Sequence, residues 1–535
     1  MSARAAAVLG LGAPVARLAA VLALWQALVG LHAVNGLVLP SPAQIVVQVW
    51  SGRQGYLLDA RTTLGEAGLG FLAGSGLAVA SAILFLRVRV AERALMPLAV
   101  ASYCLPAIAI APILQVVLPG DEPKVVLAAL FVFFTTLTTV ATGLRSVDPV
   151  VIDMVRAFGG TGSSELRKVR VRNALPYLVR ALQLGAPSAL LGAIIGEFLG
   201  GSSGLGIALI QAEADLSSPR TWAVLAVSGA ISGVLYGALG LASHRLERYG
   251  EDRASSGPVW PSGEGRSGAG RSRWARKLVS ATVAISASVA VTLGVWTAAI
   301  KMLRLSSYFA VDPAGVWSYL FSGSQAGEDR SLVFGQLGVT LEDAALGFVS
   351  GLVVASALAA VMVMIPRVSK EVMPWAVALR SVPLVAIAPL ISVELGRGIA
   401  SVLAICAIVT FFPTLVFMVG GLRGAPAAAL DLLRACGGRT WSEFTKVRAP
   451  TALPALFHSA RVAAPGALLA AILIEWTATG NGMGAQMIVA SETSQYPQLW
   501  SDVAVVTAVS LLLYAGLGIL ERYVTERRAG RVRPS

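Results

Sequence analysis

Two stretches of the chain place a carboxylate, a guanidinium and a glycine at one spacing: Asp153, Arg156 and Gly159, then Asp431, Arg434 and Gly437. A carboxylate and an arginine three residues apart share a helix face and can pair there. A glycine just beyond them stops the helix, because it takes a left-handed backbone without a Cβ penalty. Such a pattern builds a charged, sharply turned docking element and breaks no bonds. Glu197 and Glu475 lie at the ends of apolar stretches. A charge there is costly and is either functional or held by hydrogen bonds, here to the Gly-rich turn that follows. The proline pairs Pro106/Pro112 and Pro383/Pro389 free backbone carbonyls inside apolar stretches. They have two readings, packing kinks or a broken helix lining a pathway or gate. Groups for catalysis are lacking. None of the six lysines follows a glycine, so there is no phosphate-binding Gly-Lys-Ser/Thr loop. Cys104, Cys406 and Cys436, and His32, His244 and His458, are scattered without metal-ligand or disulfide spacing. The chain is expected to be no enzyme, to hold no metal or cofactor, and to draw any ATP energy from a separate polypeptide.

The elements that must position these residues are membrane helices. The 535 residues are 56% hydrophobic and only 13% charged, with mean hydropathy +0.73. A soluble protein carries about 25% charged residues, so the surplus apolar surface must meet lipid. Stretches of about 20 apolar residues can span a bilayer. They fall near 18–37, 64–86, 95–118, 125–144, 181–199 and 222–242, and again near 278–300, 341–365, 372–393, 399–420, 461–476 and 503–520. About twelve helices are therefore expected. The loops assigned outside hold Arg53, Arg61, Lys124, Arg220, Lys301, Arg304, Arg330 and Arg397 out of 42 basic residues. The positive-inside tendency then puts both termini in the cytoplasm. The net charge of +13 serves orientation and contact with membrane lipid; no basic patch points to nucleic acid.

The chain is also a repeat. TTLGEAGLGFLAG at 62–74 matches VTLEDAALGFVSG at 339–351, and LPAIAIAP at 105–112 matches VPLVAIAP at 382–389. GLRSVDPVVIDMVRAFGG at 143–160 matches GLRGAPAAALDLLRACGG at 421–438. KVRVRNALP at 168–176 matches KVRAPTALP at 446–454, and APSALLGAIIGEF at 186–198 matches APGALLAAILIEW at 464–476. Two parallel six-helix repeats imply a pseudo-two-fold axis along the membrane normal, with a pathway between the halves. The expected division is an N-terminal span and outer loop (1–56), a first transmembrane domain (57–245) and a Gly/Ser/Pro-rich linker (246–277). A span and outer loop (278–334), a second transmembrane domain (335–522) and a basic tail (523–535) follow. The polar loops near 145–180 and 423–460 read as two short helices around Gly159-Gly160 and Gly437-Gly438, the second ending before Pro176 or Pro454.

With Leu175-Pro176 and Leu453-Pro454, these loops resemble the cytoplasmic EAA loop of binding-protein-dependent ABC importer permeases. IIGEFLGGSSGLG at 194–206 and VLPSP at 38–42 resemble the members that import nitrate, sulfonates and taurine. Asp153-Met154-Val155 and Asp431-Leu432-Leu433 stand where that family usually has Glu-Ala-Ala, and two units are fused where most relatives have one. The resemblance implies an all-α integral membrane protein of the cell (inner) membrane with a type I-like importer core. It implies that Asp153, Arg156, Gly159, Asp431, Arg434 and Gly437 couple to two ABC ATPase subunits, and that an extracytoplasmic solute-binding protein delivers a small solute. The competing expectation is a twelve-helix secondary transporter, which would need no duplicated Asp–Arg–Gly loop.

Overall fold

The computed structural model describes residues 19–20, 22–31, 39–215, 217–247, 289–302, 304–369, 371–373 and 384–529. Among these there is no strand. The expected linker, from 248 on, and Pro383 lie outside the described residues. After a helical stretch at 22–30, the first half comprises α1 (Pro42–Ser51), α2 (Arg53–Arg87), α3 (Arg89–Cys104), α4 (Ala107–Val117), α5 (Glu122–Arg145), α6 (Pro149–Ala157), α7 (Val171–Gly200), α8 (Leu205–Ala214) and α9 (Ser218–Glu247). The second half comprises α10 (Val289–Met302), α11 (Ala326–Met364), α12 (Leu384–Leu395), α13 (Ile399–Arg423), α14 (Ala427–Ala435), α15 (Ala449–Ile474), α16 (Gly482–Glu492) and α17 (Tyr496–Ala529).

Among the described residues eight helices are long and apolar enough to cross a membrane, four per half: α2, α5, Gly162–Gly200 and α9, then α11, α13, Thr440–Thr479 and α17. They correspond to the second, fourth, fifth and sixth expected spans of each half. The third span of the first half, expected near 95–118 with its proline pair read as a kink or a break, is not one continuous helix. It is α3 and α4, broken at Leu105 and Pro106. A proline pushes the residue before it out of the helical region, and Leu105 is extended at φ −68°, ψ 129°. Pro112 and Pro389 instead lie inside α4 and α12. Pro176 and Pro454, expected to follow the end of a short helix, are a correction. Both sit within the long fifth-span helices. A membrane helix tolerates a proline where its neighbours re-satisfy the freed carbonyl.

Small residues set how closely the helices cross. A Cβ on Gly70 would stand 2.4 Å from Ala128 Cβ, and one on Gly74 would stand 2.5 Å from the Ala129 carbonyl. Gly347 and Gly351 repeat this against Cys406 and Ala407, at 2.2 and 2.8 Å. The α2/α5 and α11/α13 crossings are therefore the same Gly-x-x-x-Gly contact used twice. The fifth spans are the most enclosed elements, with 56% and 67% of their apolar windows buried against 22–44% in the other six. They form the centre, and the remaining spans leave leucines such as Leu69, Leu72, Leu77 and Leu241 facing outward. The halves interlock: α17 packs on α3 and α4, α16 on α4, and α9 on α12. Tyr103 on α3 donates its hydroxyl to the Val462 carbonyl at 2.9 Å.

Candidate functional site

In the polar loop of each half the local sequence builds one device twice. Helix α6 starts with Asp148, whose carboxylate accepts the Val150 N–H at 2.9 Å, and Pro149 occupies the first turn. It stops at Gly159, which takes φ +75°. The Gly160 N–H then bonds the Val155 carbonyl at 2.9 Å and the Gly159 N–H the Arg156 carbonyl at 3.0 Å. This pair of bonds is a Schellman motif, which satisfies the last carbonyls of the helix. Helix α14 closes identically: Gly437 has φ +78°, and the Gly438 and Gly437 N–H groups reach Leu433 and Arg434 at 2.9 Å each.

Asp153 and Arg156 share a helix face, with an exposed pair at 3.9 Å; Asp431 and Arg434 approach to 3.4 Å. The stronger partner of each arginine is a glutamate that the sequence reading did not single out. Glu165 receives Arg156 at 3.1 Å and Arg170 at 2.5 Å, while Glu443 receives Arg434 at 2.8 Å and Arg448 at 3.7 Å. Arg170 also donates to the Leu144 carbonyl at 3.0 Å, and Arg448 to the Leu422 carbonyl at 3.2 Å, capping the ends of α5 and α13. The helix of the polar loop is thus tied through one Arg–Glu–Arg link to both the fourth and the fifth span. In both halves the fifth-span side of this link is a π-helical turn, Leu166–Arg170 and Phe444–Arg448. Such insertions cluster at functional positions. A signal was present in the sequence, because Glu, Lys, Val and Arg recur in register in SSELRKVR and WSEFTKVR.

The outward faces of these helices are apolar. Val150, Met154 and Phe158 on α6 are 71%, 55% and 86% exposed, and Leu432 on α14 is 68% exposed. Val150, Met154 and Phe158 recur every four residues and make a stripe. The second loop lacks a counterpart to Phe158, having Cys436 there, and presents Trp441 instead. The two exposed faces differ in shape.

Glu197 and Glu475 are fully buried. Glu197 accepts the Gly206 N–H at 2.7 Å, and Glu475 accepts the Gly484 N–H and the Thr340 hydroxyl at 2.9 Å each. Thr63 and Thr340 in turn accept the Leu205 and Met483 N–H groups at 3.0 and 2.9 Å. Each carboxylate therefore sits at the N-terminus of a short apolar helix, α8 or α16, where free N–H groups favour an anion. The glycines in FLGGSSGLG and TGNGMG make room for it: a Cβ on Gly206 would be 2.5 Å from the Ile194 carbonyl, and one on Gly484 would be 2.0 Å from the Ile472 carbonyl. Among the described residues, only the first half adds a buried ion pair beside this anchor, Lys124 to Glu66 at 2.8 Å, with Asp121 at 2.6 Å. Val402 stands at the place of Lys124 in the repeat.

The model of the family described as "binding-protein-dependent transport system inner membrane component" matches the chain twice, over residues 68–253 and 334–530. The chain belongs to this family. Both matches contain the Schellman-closed loop and the buried glutamate. Among curated proteins the permease is similar to a probable ABC transporter permease protein of Haemophilus influenzae, 30% identical over 42% of this chain and 92% of that protein. It is similar to the riboflavin transport system permease protein RibX of Chloroflexus aurantiacus, 33% identical over 45% of this chain and 90% of the relative. The putative aliphatic sulfonates transport permease protein SsuC of Bacillus subtilis is 31% identical over 36% and 72%. Each alignment takes less than half of this permease and most of its relative, as a fusion of two units requires.

Proposed function

We propose that this permease is both transmembrane units of an ATP-driven importer joined in one chain, and that α6 and α14 are the surfaces on which two ATPase subunits act. The observation that carries this reading is the duplicated loop helix, closed by a Schellman motif, bearing an exposed apolar face and tied by Arg–Glu–Arg to the fourth and fifth spans. A load applied to such a helix passes into two spans at once rather than bending a loose connection. ATP binding would draw the two loops together and rock the halves, and hydrolysis would release them, a two-state transition between packed arrangements. The loops lie in the cytoplasm in this reading, as do both termini, and the chain sits in the inner membrane.

The solute is small and is delivered by an extracytoplasmic binding protein. Relatives named for riboflavin, aliphatic sulfonates and formylaminopyrimidine favour a compact polar organic molecule or oxyanion. The test is purification of the tagged permease from its own membranes, with and without Phe158→Glu and Leu432→Glu. An ATPase subunit retained by the parent chain and lost from the double variant supports the assignment. Retention by both would remove these faces from the contact.

A further inference from the structure

We propose that Phe198 and Trp476 are the gate of the translocation pathway at the end remote from the polar loops, and that the gate is closed in this structure. Their rings meet edge to face, with centroids 5.8 Å apart and planes at 88°. Each directly follows the buried glutamate of its half, so the two residues are equivalents in the repeat. Equivalent residues touch each other only where the symmetry axis passes between them. In a parallel repeat that axis runs along the membrane normal, where a pathway between the halves must run. The line of contact extends toward the loops along one face of α7, where Leu191, Ile195 and Phe198 pack against the core of the second half. The contact is made by two aromatic rings, and a constriction of predominantly apolar surface excludes water and polar solutes.

The rings are not sealed core. Glu197 and Glu475 beside them are fully buried, whereas Phe198 and Trp476 keep part of their surface accessible. The adjoining glutamates hold the N–H groups of Gly206 and Gly484, so each ring is fixed one residue from the anchor of α8 or α16. From Val171 to Phe198 the fifth helix rises about 40 Å, enough to carry a movement of the polar loop to the gate. Glu197 and Glu475 act here as positioning residues, and the aromatic side chains do the closing.

The proposal rests on the transport reading, and its labelling test needs no solute. Leu191→Cys places a thiol about 10 Å below the rings on the same helix face, in a background where the exposed Cys436 is Ser and the buried Cys104 and Cys406 remain. The probe is a sulfonate-bearing methanethiosulfonate added from the side that carries α8 and α16. With both aromatics present the thiol should react slowly. In Phe198→Ala/Trp476→Ala, and in Phe198→Leu/Trp476→Leu should the first not be monodisperse, the rate should rise roughly tenfold, as thiol reactivity follows exposure. An equal rate in the folded variant, or fast labelling with both rings in place, overturns the gate. Labelling that depends on the rings but never responds to ATP with the ATPase subunit supports the closure and counts against ATP-driven transport instead.

Discussion

Glu165→Gln removes the charge that joins the loop helix to the spans while leaving a polar side chain of the same shape. Two arginines meet Glu165, and their surroundings differ. Arg156 is 61% exposed, so its pair at 3.1 Å is a surface bridge worth about 0.2–1 kcal/mol. Arg170 is 16% exposed and Glu165 10%, with the atoms 2.5 Å apart. Hydrogen bonds to charged groups of this kind contribute about 1.5–3 kcal/mol. Arg170 lies on the same continuous helix as Glu165, so the contact that holds α6 is the Arg156 bridge; its loss should be about 0.5 kcal/mol, or roughly twofold in the population of the detached loop at about 1.4 kcal/mol per decade. Hydrogen exchange followed by mass spectrometry reads this directly, since local opening is governed by local stability. Amides of α6 should exchange about twofold faster, while those of α5 and the middle of α7 stay at the parental rate. Glu443→Gln should act in the same direction on α14 alone. Unchanged exchange in α6 would refute the Arg–Glu–Arg link as its attachment. Faster exchange throughout α5 and α7 would show that Glu165 stabilises the fold at large and does not report on the loop.

Three further expectations follow from contacts in the structure. Gly159→Ala and Gly437→Ala meet open space but need a left-handed backbone, so each should cost about 1–2 kcal/mol in the loop, visible as faster exchange in α6 or α14 with normal membrane insertion. Larger residues there should uncouple uptake, and normal uptake in a double variant with bulky residues would contradict the assignment. Gly206→Ala and Gly484→Ala would put a Cβ 2.5 and 2.0 Å from backbone carbonyls; both should aggregate on size-exclusion chromatography, whereas Gly229→Ala, with nothing within 4 Å, should elute as the parent. Lys124→Met strands Glu66 in a buried site and should destabilise by about 3–5 kcal/mol in a thermal unfolding assay. Lys124→Met/Glu66→Met should recover most of that, and failure to recover would mean that the pair does more than neutralise itself.

The architecture was readable from the sequence wherever one property dominated. Apolar stretches located α2, α5, α9 and their counterparts, because lipid demands unbroken apolar length, and the repeat paired the halves. The prolines of the third spans left a packing kink and a broken helix both open, because hydropathy cannot register a break such as Leu105–Pro106 while both flanks stay apolar. Pro176 and Pro454 misled, since the neighbours that support a proline inside a helix are not visible locally. Asp153, Arg156 and Gly159 were legible because they are close in sequence. Their main partner, Glu165, stands nine residues from Arg156 across a turn, and only alignment of the two halves could have brought it forward. The contact of Phe198 with Trp476 joins residues far apart in the chain, and the shared offset of the repeat gave their equivalence without their proximity.

The central claim is that an ATPase drives this permease through α6 and α14. The most direct measurement is solute-stimulated ATP hydrolysis by the permease reconstituted with its co-purified ATPase subunit and binding protein, comparing the parent chain with Glu165→Gln/Glu443→Gln. Stimulated hydrolysis in the parent, with the ATPase still bound but stimulation sharply reduced in the variant, is the predicted result. A chain that purifies without an ATPase and whose uptake follows an ion gradient after ATP is exhausted would contradict it.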